Sequence, residues 1–355
     1  MSRRLLVVNE GDTVGGAEVL LGGLLEELRD QWEITAMAHD ADVLSTIARG
    51  LHPDATVVIP PLRARHDLRH GPAVWAALRR ARPDVVLLNK SEPAGLRYLH
   101  LLCRLQRLPV VSIVHSLLAP TSRPATALMR LLGRRGGAVV TVALRSATAL
   151  DRLLGLAPGT THVIEPAVVS PPEAIPRRHS DTVTTGVLAR LTPDKRIDTV
   201  VDIVNDLPGV RLVVGGTGPD HERLERMITA RGLDDRVRFT GWIDPDEFFA
   251  EVDLLVSASE LENAPLSILE AQARGVPVVA RIAGGVADLI RDGHDGLLAS
   301  DDDELAGGVR RFVADAELRE RMIRGASETA KRRVANNGPR TMAAAYHQLL
   351  ERESA

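Results

Sequence analysis

The chain has 355 residues, with 44 basic and 47 acidic side chains, a net charge of −3 and a pI near 6.4. That length accommodates two α/β domains with cores of their own, and so balanced a charge excludes a chain-wide basic surface of the kind that grips nucleic acid. The single cysteine, Cys103, excludes an intrachain disulfide and fits a reducing, cytoplasmic compartment.

The charge is unevenly placed. Residues 1–166 carry 20 basic and 15 acidic side chains, whereas residues 167–355 carry 24 and 32. A basic first half suits an anionic acceptor or a membrane surface, although a charge gradient without purpose fits as well. No apolar run approaches the ~20 residues that a spanning helix requires. The opening residues, MSRRLLVVNEGD, read as a short strand rather than a leader. A membrane role would thus be peripheral, on the inner face, through the basic half. Only Lys90, Lys195 and Lys331 are lysines, so a lysine within a motif carries weight.

Residues 5–9 read as a buried strand, followed by EGDTVGGAE and a helix with Val19, Leu20, Leu24, Leu25 and Leu28. Strand, glycine-rich turn and helix open a mononucleotide-binding unit. Gly15 and Gly16 would let the backbone approach a ligand closely. The spacing is not G-x-G-x-x-G, so a dinucleotide cofactor is not indicated. Further buried strands are expected at 34–38, 56–59, 85–88, 110–114 and 139–142 with helices between them, the pattern of a parallel sheet covered on both faces. Two of these runs end in polar clusters: Asn89, Lys90, Ser91 and Glu92 after one, His115 and Ser116 after the other. Cys103, in an apolar helical stretch, reads as core. Arginines gather at Arg63, Arg65 and Arg69, and at Arg130, Arg134 and Arg135. They read as a solvated surface or as docking sites for an acceptor or lipid headgroups.

The proline-rich stretch EPAVVSPPEAIPRRHSD, 165–181, reads as a linker, so that 1–166 and 182–337 are the two domains and 167–181 joins them. The second domain begins with a strand at 184–188. Ala189-Arg190-Leu191-Thr192-Pro193-Asp194-Lys195 follows, then a helix with Ile197, Val200, Val201 and Val204. A strand at 210–214 runs into Gly215-Gly216-Thr217-Gly218-Pro219. Another at 237–241 runs into Trp242 and Ile243, where Trp242 fits core packing or a base platform. The run at 252–256 leads to a loop at 257–264 and a helix from Pro265, which suits a first-turn position. Ile268, Leu269, Ala271 and Ala273 face a core, Gly275 and Pro277 stop the helix, and 276–280 is the next strand. Glu262 in the loop and Glu270 in the helix bracket this turn. Ligands of open α/β sheets sit at such strand ends, where helix-start N–H groups suit an anion and carboxylates suit paired hydroxyls. Beyond a Gly284-Gly285 turn and a tight turn around His294, residues 303–355 are helical.

The arrangement E-x7-E, then A-x-A-x-G-x-P-V-V-A and a Gly-Gly turn, resembles the donor-site signature of retaining glycosyltransferases with two Rossmann-like domains. This is the GT-B, family 4-like group (glycosyl transferases group 1) that includes sucrose synthases and bacterial mannosyl- and GlcNAc-transferases. The resemblance spans nearly the whole chain and is strongest over 184–300. It implies two parallel-sheet domains facing a central cleft, with a last helix near 338–352 returning to the first. It also implies glycosyl transfer with retention from a nucleoside diphosphate sugar, UDP-sugar before GDP-sugar, to an acceptor hydroxyl. The products would be glycans, glycolipids or glycosylated natural products, made with no metal or other cofactor.

The resemblance assigns Arg190 and Lys195 to the donor diphosphate, Glu262 to the sugar and Glu270 to the ribose. Gly15 and Gly16 go to the diphosphate or acceptor, with Glu18 beside them, and Trp242 and Ile243 to the base. Gly216, Asn263, Ala264, Pro265 and Leu266 complete the donor set. His115 would lie near the anomeric carbon and the primary hydroxyl, with Lys90 and Ser91 on the acceptor side. Independently, a departing diphosphate needs fixed positive charge, and no Asp-x-Asp stands at a suitable strand end to bring a metal. Three departures stand out: Ala189 for a glycine, Glu165-Pro166-Ala167-Val168 for Pro-Asn-Gly-Val-Asp, and Thr217 for an acidic residue. The last two leave open a nucleotide-sugar binding protein without turnover; an epimerase or phosphorylase on the same fold is a second alternative.

Overall fold

The computed structural model describes residues 3–62, 65–120, 122–135, 137–167, 182–336 and 338–355. Beyond Ala167 the expected linker lies outside them, as do Val168, Arg63 and the side chains of Arg65 and Arg135. The chain divides into two compact units, Met1–Ala167 with Pro339–Ala355, and Val168–Gly338.

In the first unit the strands are β1 (Arg3–Asn9), β2 (Trp32–Ala38), β3 (Thr56–Val58), β4 (Val85–Lys90), β5 (Val110–Val114), β6 (Ala138–Thr141) and β7 (His162–Val163). They form one parallel sheet in the order β3-β2-β1-β4-β5-β6-β7. The order reverses between β1 and β4, whose ends are in register, Asn9 opposite Asn89. Alternation along the strands sorts side chains between two faces. Leu5 and Val7 pack under the helix Gly16–Leu28, whereas Leu6 and Val8 join Val86, Leu88, Leu99 and Cys103 on the other face. In the helix, Leu21, Leu24, Leu25 and Leu28 are the buried stripe. Val19, expected with the apolar face, is 51% exposed because it falls off that stripe.

The helix Pro339–Glu353 packs on the first unit although it closes the chain. Met342, Ala343, Tyr346, Leu349 and Leu350 lie buried with the strand residues, and Trp32 Nε1 donates to His347 Nδ1 at 3.0 Å. Full burial of each large side chain contributes about 1.5–3 kcal/mol, enough to hold a returning helix.

The second unit holds β8 (Val183–Leu188), β9 (Val210–Gly215), β10 (Val237–Gly241), β11 (Leu254–Ser257), β12 (Val278–Arg281) and β13 (Gly296–Ala299). They are parallel in the order β10-β9-β8-β11-β12-β13, with the reversal between β8 and β11. Ile197, Val200, Val201 and Val204 are buried on one face, and Ile268, Leu269, Ala271 and Ala273 on the other. The short strands β7 and β13 have no counterpart among the expected ones, since two and four residues are too few to show a period. Among the described residues no helix is long and apolar enough to cross a membrane.

Candidate functional site

Each unit gathers polar side chains where its strand order reverses, the place at which open α/β sheets leave a crevice at their carboxyl ends. In the second unit the loop after β8 supplies Arg190 and Lys195, and the loop after β11 supplies Glu262. Lys195 Nζ lies 2.7 Å from Glu262 Oε1 and 3.7 Å from Asp194, with the Lys195 and Glu262 side chains only 17% and 13% exposed. The two loops are also tied by their backbones, Glu260 N–H donating to the Asp194 carbonyl at 3.0 Å. Arg190 is exposed on the same loop.

Two glycines make this packing possible. At Gly216, where φ is +123°, a Cβ would overlap the Ala189 carbonyl oxygen; at Gly284, φ +49°, it would overlap that of Glu262. Gly216 therefore shapes the loop carrying Arg190 by close backbone approach. Thr217 continues the contact, its carbonyl accepting from Leu191 N–H at 2.9 Å.

The helix after Glu262 spans Leu266–Ala273, with Pro265 at the cap position, one residue before the expected first turn. A proline there closes off any capping side chain, and among the described residues no hydrogen bond reaches the backbone N–H groups of Leu266 and Ser267. Asn263 is buried, while Ala264 is partly exposed. Glu270 sits half-buried in this helix. Burial raises its carboxyl above the usual range, Arg274 opposes that rise, and Asp244 and Asp246 add to it. Arg274 is spent on Asp246 at 2.7 Å, and among the described residues no hydrogen bond reaches the Glu270 carboxylate. The Asp244-Pro245-Asp246 triplet is likewise occupied: Asp244 caps its helix and Asp246 holds Arg274. Trp242 is 75% exposed and so is not core, whereas Ile243 packs against the cluster of Phe248 and Phe249.

In the first unit a chain of hydrogen bonds crosses the order reversal. His115 Nε2 lies 2.7 Å from Asn89 Oδ1, Asn89 Nδ2 donates to Asn9 Oδ1 at 2.7 Å, and Asn9 Nδ2 reaches Glu18 Oε1 at 3.4 Å and the Gly11 carbonyl at 3.3 Å. Glu18 Oε2 accepts from Gly15 N–H at 3.0 Å, the carboxylate half of a capping box at the helix start. Gly15 is extended at φ −145°, so its conformation does not demand glycine, and Gly16 is the first, exposed residue of the helix. Burial pushes the His115 imidazole down to about 4, so the ring is neutral near pH 7.

One sequence expectation changes here. Lys90 alternates to the opposite sheet face from Asn89, where it is 5% exposed with Nζ 3.2 Å from His100 Nδ1. Burial lowers its ammonium to about 8, partly offset by Glu10. Lys90 is thus an interior group and not one presented to an acceptor; Ser91, exposed, has its N–H held by Glu10 at 2.7 Å. Arg130 and Arg134, read as a solvated surface or as docking sites, are exposed and donate to the carbonyls of Leu153 and Gly155 at 3.1 and 2.8 Å, tying down a helix end. Asn9 went unnamed in the motif reasoning, and Asn89 entered it only as one member of a polar cluster. Their signal was present: each is the polar residue that ends a fully apolar run.

Two helix-covered parallel sheets with polar groups at each reversal define a GT-B architecture, a pair of Rossmann-like units. Residues 174–329 match the family model described as glycosyl transferases group 1, and residues 14–169 match that of glycosyltransferase family 4. The chain belongs to the GT-B glycosyltransferases of this group 1, family 4 type. It is 35% identical over 166 residues to the lipopolysaccharide core biosynthesis glycosyltransferase LpsE of Rhizobium meliloti, covering 46% of this chain and 48% of that one. To the alpha-D-kanosaminyltransferase of Streptomyces kanamyceticus it is 33% identical over 150 residues, 39% of each. The chain thus spans about half or less of the length of these relatives. In fold it is similar to Anabaena HepE, solved with UDP and glucose, at a TM-score of 0.83 and 22% identity over 98% of this chain and 99% of that one.

Proposed function

We propose that the chain transfers a glycosyl group from a nucleoside diphosphate sugar to an acceptor hydroxyl with retention of configuration, UDP-sugars ahead of GDP-sugars. The observation that carries this reading is the Lys195–Glu262 pair at the order reversal of the second unit, followed in the chain by helix-start N–H groups and a Glu270 carboxylate that no hydrogen bond reaches among the described residues. A diphosphate meets fixed cations and backbone donors there, and its charge grows as the glycosidic bond breaks, so the same donors act most strongly in the transition state. Lys195 turns from Glu262 to the phosphate oxygens with Arg190 beside it. Glu262 is thereby released to accept from sugar hydroxyls. Glu270 regains, from two ribose hydroxyls, the hydrogen bonds that burial has removed.

With cations supplying the charge, no metal is required. The leaving phosphate accepts the proton of the attacking hydroxyl. HepE, solved with UDP and with UDP-glucose, supports the uridine preference. Relatives named for lipopolysaccharide core and kanosaminyl transfer support a glycan, glycolipid or natural-product hydroxyl as acceptor. The test is incubation with a panel of UDP- and GDP-sugars, following released nucleoside diphosphate. Release that rises with a hydroxylated acceptor is the expected result; tight binding of a donor without any release makes the chain a binding protein instead.

A further inference from the structure

The hydrogen-bond chain across the first unit has a direction. A backbone carbonyl can only accept, so the Asn9 side-chain atom facing the Gly11 carbonyl is the NH2 group, and the carboxylate oxygen of Glu18 on the same side agrees. Asn9 Oδ1 then faces Asn89 as an acceptor, which makes the Asn89 atom opposite it the NH2 group. That leaves Asn89 Oδ1 toward His115, and an acceptor there requires a proton on Nε2. Asn9 and Asn89 are 0% and 2% exposed, so neither amide can exchange its partners for water without leaving a buried polar atom unsatisfied. The ring is anchored at its backbone by His115 N–H donating to the Lys90 carbonyl at 3.1 Å. Among the described residues no hydrogen bond reaches Nδ1.

We infer that Glu18, Asn9 and Asn89 are positioning residues that hold His115 as its Nε2–H tautomer, leaving Nδ1 as a hydrogen-bond acceptor for a hydroxyl of the acceptor. The inference rests on the glycosyl-transfer reading for the hydroxyl, and on the geometry alone for the tautomer. In this arrangement Glu18 serves the reaction through His115 and not by touching the diphosphate. Because the two amides do not titrate, the ring offers a lone pair to a hydroxyl over the range in which it stays neutral. Its downshifted basicity extends that range well below pH 6.

Long-range ¹H–¹⁵N correlation of the imidazole nitrogens in the full-length protein reads the tautomer directly. A single Nε2–H form at pH 7 is expected; an Nδ1–H form, or averaged shifts of a mixture, overturns the inference without any variant being needed. Asn9→Leu leaves the buried Asn89 NH2 without its acceptor. That amide then flips toward Nε2, and the Nδ1–H tautomer appears; an unchanged Nε2–H spectrum in a folded Asn9→Leu shows that the relay does not set the proton. The same variant lowers kcat about tenfold, the loss of one oriented hydrogen bond, while UDP binding measured by calorimetry is unchanged. A switched tautomer with wild-type kcat overturns the positioning role. If the wild type turns over no nucleoside diphosphate sugar, the functional reading falls while the tautomer measurement still decides the relay.

Discussion

Both sheets reverse their strand order once, and both reversals are bridged by a side-chain pair at 2.7 Å. The chemistry of the two bridges is opposite. Asn9 and Asn89 are neutral, almost wholly buried, and bonded in one direction only, whereas Lys195 and Glu262 are a charged pair with an edge still in water. An amide pair cannot ionise and has no alternative partner, so it fixes the geometry of what hangs from it. An ion pair in a partly wet site can exchange one anion for another at little cost, because the incoming charge replaces the outgoing one. The first unit thus carries an orienting bridge and the second an exchangeable one.

The largest effect that tests this contrast is on chemistry. Lys195→Ala should lower kcat by about 10²–10³ with little change in donor binding, as for a lost donor to a developing oxyanion. Wild-type kcat with a raised KM would place Lys195 in ground-state binding only. That loss is one or two orders of magnitude beyond the effect of Asn9→Leu on the orienting side.

Next in size is an acid effect confined to the first bridge. His115 is held neutral in the fold at about 4, against 6.5 in an open chain, so the unfolded state binds more protons between these values. Stability contributed by this group is complete above pH 6.5 and is lost as pH falls toward 4, on the order of 3 kcal/mol in all. Thermal unfolding followed against pH should show an acid limb that His115→Gln flattens; identical limbs would mean that the imidazole is not held neutral.

A smaller effect divides the two glutamates. Glu270→Ala should weaken UDP binding about tenfold or more by calorimetry, the loss of charge-assisted bonds to hydroxyls. Glu262→Ala should leave UDP binding unchanged or slightly tighter, since it frees Lys195, while turnover of the intact donor falls. The opposite pattern would reverse the two roles. Glu270→Gln should in addition raise the melting temperature of the ligand-free protein at pH 7, because burial disfavours its charge. The smallest expected effect is none: excess chelator should leave turnover intact, and full loss restored by Mg²⁺ or Mn²⁺ would show that Arg190 and Lys195 do not suffice.

Much of the architecture could be read from runs of residues. Buried parallel strands are continuous apolar stretches, so β1, β4 and β5 stood out, and Gly275 with Pro277 marked a helix end whatever the surroundings. The positions of Arg190, Lys195 and Glu262 in loops at strand ends, and of Glu270 in the helix that follows, could be read because the carboxyl ends of parallel strands all lie on one edge of a sheet. Trp242 was not, since an aromatic after a strand fits a core or a surface alike until its 75% exposure is seen.

By itself the sequence determined the class of each segment and the set of chemical groups at the strand ends, because propensity and hydrophobic period are local properties of the chain. Only the tertiary structure decided which ends are neighbours. Asn9 and Asn89 are 80 residues apart and Lys195 and Glu262 are 67 apart, yet each pair meets because its two strands flank an order reversal. Strand order also placed Lys90 inside, one residue and one sheet face away from Asn89. Pairing across a sheet is set by how whole faces bury against helices, a sum over distant contacts that no window of sequence contains.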